Sequence, residues 1–320
     1  MKIFNVNEDW DYLVVLDGCR YDFFAIFYKN LFEGILEKRF SRGIDTPSWF
    51  KNTFTKHYDN VIYISGNPYV NSQMSIGGCD AWRRFFKVID VWKFGWDDEL
   101  GTVPPWTLTL AALSHVEKYA EKKFIIHYLQ PHAPYISKGF RSIGFPRPDI
   151  NKGVVLSRLN ISMDKDIEGL YEKLAHVIAM VFFRLKVVSH PWLVLERLKA
   201  PPASPMDAIR RIYGVRGLRR AYLENLKLVL EYVALLVDRV LKINPEAKII
   251  VTADHGELLG EDGLFGHGID HPLIRIVPWF RVKSVKKTAW EVSRRIMTRL
   301  VLKKRLMKIV TELHYNTKSK

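Results

Sequence analysis

Cysteine is nearly absent: the 320 residues contain only Cys19 and Cys79. Two thiols cannot form a disulfide framework, and nothing near them has structural-zinc spacing. Long apolar runs are missing too. The charge-free apolar stretch Leu174–Phe183 is about half of the roughly 20 residues that a bilayer-spanning helix needs. The first residues, MKIFNVNEDWDY, carry acids where a secretory leader carries its apolar stretch. The expectation is a cytoplasmic protein, soluble or resting on the inner face of the membrane. Internal repeats and low-complexity tracts are lacking. With 48% hydrophobic and 26% charged residues, a sizeable core forms and global disorder is excluded. This length suits one large α/β domain with embellishments.

Acidic residues are in short supply, 34 against 49 Lys and Arg, for a net charge of +15. The deficit is local. Residues 281–320 hold 13 Lys and Arg against Glu291 and Glu312, a net +11, which leaves +4 for residues 1–280. The chain therefore divides into a near-neutral body over 1–280 and a basic tail over 281–320. In the tail, Ala289, Val292, Ile296, Leu300, Met307 and Val310 lie near one helical stripe, with Arg294, Arg295, Arg299, Lys303, Lys304 and Lys308 around it. That pattern predicts a peripheral helix for an anionic membrane surface. Nucleic acid is disfavoured, because no RNA- or DNA-binding motif accompanies the basic run and its aromatics are not interleaved as a stacking platform needs.

Four short, β-branched runs predict buried parallel strands: Tyr12–Leu16, Val61–Ser65, Phe124–Leu129 and Lys248–Thr252. Leu273–Val277 and Phe86–Trp92 are further candidates. Each of the clearest runs ends in polar or glycine-containing sequence, such as Asp17-Gly18 and Asp254-His255-Gly256. Polar groups just past strand C-termini mark the ligand edge of an open α/β sheet. Tyr222, Leu226, Val229, Val233, Leu236 and Val240 recur at helical spacing and stop before Asn244-Pro245. Residues 165–199 also read as helical, and KAPPASPM at 199–206 as a linker. Residues from about 150 to 215 are expected to form a helical insertion beside the sheet.

The strongest chemical signal is IIVTADHGELLGEDGLFGHG at 249–268. A buried strand delivers Asp254 and His255 together, and Gly266-His267-Gly268 adds another imidazole in a tight loop. Asp and His form a mixed oxygen and nitrogen ligand set suited to zinc or manganese.

This segment resembles the metal motif of the alkaline phosphatase superfamily, in its sulfatase-like and phosphoglycerol-transferase-like branch. The resemblance extends to Leu13-Val14-Val15-Leu16-Asp17 and to His127–Tyr135, which is similar to a PHxPY element. It covers about residues 10–140 and 245–280. It implies a three-layer α/β/α sandwich with a mainly parallel sheet. It also implies a metal-dependent hydrolase or transferase of phosphate esters. In such enzymes an alcohol or modified cysteine attacks from a loop some tens of residues after the first Asp. Here that loop is Ser41–Trp49, with Thr46 as the nucleophile and Ser48 as the alternative. An alcohol with a pKa far above 7 becomes nucleophilic only when a cation or base stabilises its alkoxide.

The resemblance implies one divalent cation, zinc or manganese with calcium and magnesium as alternatives, held by Asp17, Thr46, Asp254 and His255. His132 and His267 then hold the substrate's oxygens or protonate the leaving group, His271 competes with His267, and Arg20 either clamps an anion or pairs locally. Residues 41–50 contain no cysteine for a formylglycine, and Cys19 lacks the following proline, so it reads as a packing thiol. Sulfuric-ester hydrolysis and a catalytically degenerate binding protein are the alternatives. The expected substrate is a phosphodiester or a phosphorylated small molecule, lipid or glycan head group.

Overall fold

A computed structural model describes residues 1–137, 139–140, 143–151 and 167–286. Its strands are β1 (Lys2–Ile3), β2 (Tyr12–Leu16), β3 (Phe32–Phe40), β4 (Tyr58–Ser65), β5 (Phe85–Asp90), β6 (Lys123–Tyr128), β7 (Ile249–Thr252), β8 (Leu258–Leu259), β9 (Phe265–Gly266) and β10 (Ile276–Val285). The α-helices are α1 (Tyr21–Phe27), α2 (Thr46–Thr53), α3 (Ala81–Arg84), α4 (Val91–Phe94), α5 (Pro105–Lys118), α6 (Ile167–Arg184), α7 (Pro191–Arg197), α8 (Pro205–Ile243) and α9 (Pro272–Arg275).

Eight strands form one sheet in the order β1-β3-β10-β7-β2-β6-β4-β5, and β8 pairs with β9 apart from it. Strand β10 runs antiparallel to both β3 and β7, while the other pairings in the sheet are parallel. Every residue of β2 and β7 is buried. Strands apolar at every position need cover on both faces, and helices supply it. Phe24 of α1 packs on Phe280, whereas Trp49 of α2 meets Phe4, which in turn meets Trp279. Phe280 and Trp279 are successive residues of one strand, so they point to opposite faces. The result is a three-layer α/β/α sandwich with a mainly parallel sheet.

The strand expected over Leu273–Val277 starts three residues late, because Pro272–Arg275 forms a helical turn capped by the His271 side chain. It then runs to Val285, so residues 281–285 belong to the sheet. Residues 287–320, where the amphipathic stripe of the tail was expected, lie outside the described residues, as do 152–166 of the expected insertion. The long helix α8 is broken at Gly214, whose φ of 66° is non-helical. No helix among the described residues is long and apolar enough to cross a membrane.

Candidate active site

Neighbouring parallel strands β7, β2, β6 and β4 all end along one edge of the sheet, and each leads into a polar residue there. Past β7 come Asp254 and His255, past β2 comes Asp17, past β6 comes His132, and past β4 comes Asn67. Thr46 enters from another side as the first residue of α2.

Asp254 is the hub. Its Oδ1 accepts from the amides of Gly18 at 3.1 Å and His255 at 2.9 Å, and its Oδ2 accepts from Thr46 Oγ1 at 2.7 Å. Asn67 Nδ2 donates to Asp17 Oδ2 at 2.8 Å and to Thr46 Oγ1 at 3.3 Å. Gly18 turns the chain with φ at +65°, and a Cβ there would meet Glu257 Oε2 at 3.2 Å. A side chain at 18 would strain the turn and crowd that carboxylate. The Thr46 loop is tied to the hub as well. Ser41 Oγ donates to the Asp254 carbonyl, and the Gly268 amide donates to the Ile44 carbonyl at 2.9 Å.

His255 Nδ1 lies 2.8 Å from the Gly256 carbonyl. A carbonyl can only accept, so Nδ1 carries the proton and Nε2 presents a lone pair. That Nε2 is buried without a hydrogen-bond partner, 3.4 Å from Asp254 Oδ2 and 3.5 Å from Asp17 Oδ1. Burial, and then the neighbouring Asp254 and Glu257 carboxylates, push the Asp17 carboxyl well above its ordinary range. Burial would raise Asp254 too, but His255, His127 and the Thr46 hydroxyl hold it below its ordinary value. Two buried carboxylates, an unpartnered imidazole nitrogen and a hydroxyl thus converge on one point. The donor set fits a divalent cation of the zinc or manganese type.

A second cluster lies beside the first. His132 Nδ1 donates to the Ala133 carbonyl at 2.7 Å, which leaves Nε2 facing Glu257 Oε2 at 3.7 Å. His267 Nδ1 is 2.9 Å from Glu257 Oε1. Ligand-capable atoms of His132, Glu257 and His267 all lie within 4.8 Å of one another, and so do those of Asp17, His127 and Asp254. Burial pushes His132 and His255 down. Burial also opposes a charge on His267, but the Glu257 carboxylate outweighs it and raises that imidazole.

Two expected participants stand elsewhere. Arg20 is clamped between Asp22 and Glu261 at 2.7 Å each and does not line the site's cavity. His271 caps α9 through Leu273 N at 3.1 Å and also lies off the cavity. Ser48 spends its hydroxyl on the α2 capping box. Burial pushes the Cys19 thiol well up, which keeps it protonated and unreactive. Trp49 and Trp279 are core residues, while Trp82 is exposed.

Other participants were missed. Asn67 and Glu257 carried no assignment, and neither did His127, whose Nδ1 is 2.8 Å from Tyr63 OH and whose Nε2 is unpartnered. Helix α8 positions the site from behind. Tyr222 OH donates to the Gly18 carbonyl at 2.7 Å and accepts from Arg20 N at 2.9 Å. One turn on, Asn225 Nδ2 reaches the carbonyls of Pro131, His132 and Pro134, and its Oδ1 accepts from Ile136 N at 3.1 Å. Asn225→Ala leaves these buried groups unpaired, so it should cost about 2 kcal/mol or more. A denaturation midpoint measures this. Because the loop holds His132, kcat should fall as well.

The cavity over the site has a volume of about 430 Å³. Its polar floor includes Thr46, Asn67, His132 and His267, and its apolar wall includes Trp192, Met206 and Phe265. Trp192 and Phe265 stack with centroids 5.5 Å apart. His190, beside them, accepts from Trp192 N at 3.3 Å, and burial holds its pKa down at about 4. An unfolded histidine titrates near 6.5, so the unfolded chain takes up this proton first and stability falls as pH drops from about 6.5 towards 4. His190→Asn keeps the cap and should remove part of that fall, as read from melting temperatures at neutral and mildly acidic pH.

The fold and the edge cluster together define an open α/β protein with a carboxylate, imidazole and hydroxyl centre. No protein-family model matches the sequence, and no curated protein sequence matches it. Solved structures do resemble it. One is the soluble domain of lipooligosaccharide phosphoethanolamine transferase A from Neisseria meningitidis, at 14% identity and TM-score 0.42, covering 87% of this chain and 79% of that one. Another is a phosphonate monoester hydrolase from Silicibacter pomeroyi, at 15% identity and TM-score 0.46, covering 87% and 69%. A third is the C-terminal periplasmic domain of EcEptC from Escherichia coli in complex with Zn, at 10% identity and TM-score 0.42, covering 91% and 77%. At such identities and TM-scores no residue role passes from them to this chain.

Proposed function

We propose that the chain is a metal-dependent hydrolase or transferase of phosphate esters that works through a phospho-threonine intermediate. One observation carries the reading. Thr46 Oγ1 lies 2.7 Å from Asp254 Oδ2, in the same buried cluster as Asp17 and the unpartnered His255 Nε2. Asp17, Thr46, Asp254 and His255 would hold one divalent cation, zinc or manganese. When bound, that ion supplies positive charge that stabilises the Thr46 alkoxide and the transferring group.

The residues of the chain do the rest. Thr46 passes its hydroxyl proton to water by way of Asp254 Oδ2, which accepts from it at 2.7 Å, as Oγ1 forms a bond to phosphorus and the bond from phosphorus to the leaving oxygen breaks. His267, whose charged form the Glu257 carboxylate favours, gives its proton to the leaving oxygen. Asn67 donates to a non-bridging oxygen, and His132 joins it only as the imidazolium, when Nε2 also carries a proton; stabilising these oxygens is the largest part of phosphoryl-transfer catalysis. Water or an acceptor alcohol then takes the group from Thr46 and restores the hydroxyl. The apolar cavity wall suits a phosphodiester, or a lipid or glycan head group, more than a small phosphomonoester. A buried, protonated Cys19 does not favour the sulfuric-ester alternative. The working location of this reading is the cytoplasm, with the basic tail as an optional contact to the inner membrane face.

The test is turnover of aryl phosphodiester, phosphomonoester and sulfate esters before and after chelation. The expected result is phosphodiester turnover that is lost on chelation and restored by zinc or manganese. Turnover untouched by chelation overturns the reading. A second reading, with another ion between His132, Glu257 and His267, is favoured by the buried Glu257 Oε2 that lacks a partner. It is tested by His132→Ala. Normal metal content with a slower rate fits one ion, and halved metal content fits two.

A further inference from the structure

Helix α6 buries one side and leaves the other bare. Ala175 and Ala179 pack with Val194 and Leu195 of α7 in a small satellite core. On the outside, Tyr171, Leu174, Val177, Met180, Val181 and Phe182 stand exposed, followed by Leu185 just past the helix end. Leu174 is 56% exposed, Val177 60% and Leu185 69%. Positions 174, 177, 181 and 185 follow one helical stripe. A continuous stripe of large apolar side chains in water marks a contact surface.

Charge decides the partner. Lys173 and Arg184 lie on the helical row that includes Val177 and Met180, along one edge of the stripe. Lys186, Arg197 and Lys199 follow nearby in sequence, and none of the five pairs with a carboxylate among the described residues. Glu196, one of the few acids here, is taken by Arg210 at 2.7 Å. A two-fold pairing of α6 with its copy would set Lys173 of one chain near Arg184 of the other, which like charge opposes. An apolar stripe edged by cations instead fits the boundary between head groups and acyl chains. The helix would lie in that boundary, since it does not qualify as a span.

We propose that the outer face of α6 docks on an anionic lipid bilayer. Helix α7 links this face to the cavity, because Val194 and Leu195 seat α6 while Trp192 lines the cavity wall. Docking would therefore bring the cavity wall close to the lipid surface.

The test is co-sedimentation of the full chain with vesicles of phosphatidylcholine containing about one third phosphatidylglycerol. Wild-type protein should bind. The triple variant Leu174→Ser, Val177→Ser, Val181→Ser should bind about tenfold more weakly or worse. Its melting temperature, oligomeric state and turnover of a soluble aryl phosphodiester should not change. Lys173→Gln with Arg184→Gln should lose the preference for anionic over pure phosphatidylcholine vesicles. Absence of wild-type binding overturns the proposal. So does unchanged binding of the triple variant, which would put the contact elsewhere, such as in the basic C-terminal residues. A lowered melting temperature or a dissociated dimer in that variant also overturns it, by showing that protein covers the stripe. Vesicle binding needs no turnover, so this test stands apart from that of the phosphoryl-transfer reading.

Discussion

Thr46→Ala should lower kcat on a phosphodiester by about 10³-fold or more, as loss of a nucleophile does elsewhere, and leave the fold intact. The fold should survive because Thr46 does little for it. The α2 cap is made by Asp45 and Ser48, and the threonine hydroxyl bonds with Asp254 and Asn67 inside the site. Thr46→Ser keeps the hydroxyl and should keep part of the rate. Ser48→Ala should act mainly on stability, since its hydroxyl belongs to the cap. Cys19→Ala should be nearly silent in rate, because the thiol is buried and protonated. Circular dichroism and steady-state kinetics on the four variants separate these outcomes. Full activity in Thr46→Ala would end the assignment.

Asp254→Ala should empty the metal site and bring turnover to background. Its carboxylate gathers the Gly18 and His255 amides and the Thr46 hydroxyl, so its loss removes a ligand and loosens the groups that hold the others. His255→Ala should also empty the site, and Asp17→Ala should weaken it severely. Since a ligand that binds only the folded state raises stability by mass action, chelation should lower the melting temperature of wild-type protein. The same chelation should leave Asp254→Ala unchanged. Metal content by elemental analysis and paired melting curves read both effects. A full complement of metal in Asp254→Ala would contradict the ligand set.

The central strands were legible because burial on both faces leaves a plain mark, an apolar run that stops at a polar turn. Tyr12–Leu16 matches β2 end to end. The site was legible for the same reason, since strands that end together bring their trailing residues together. Strand β3 was not legible. It is partly exposed along FEGILEKRF and pairs with β10 far away in sequence, so neither periodicity nor proximity announces it. Arg20 and His271 show a second limit. Closeness to a motif fixes where a backbone lies, whereas side-chain direction depends on partners such as Glu261, 241 residues on from Arg20. Tyr222 shows a third. It reads as one more apolar position on its helix, and its ring is indeed buried, yet its hydroxyl reaches the Gly18 turn. Asn225, a polar residue on that otherwise apolar stripe, was the available signal for the support that α8 gives.

The most direct test of the account is to quench the metal-loaded enzyme during turnover of a phosphodiester and map the trapped adduct by peptide mass spectrometry. The account predicts a phosphoryl adduct on the peptide containing Thr46, on the threonine itself, and none in protein stripped of metal. An adduct on Cys19 or Ser48, or one that forms equally well without metal, would contradict it.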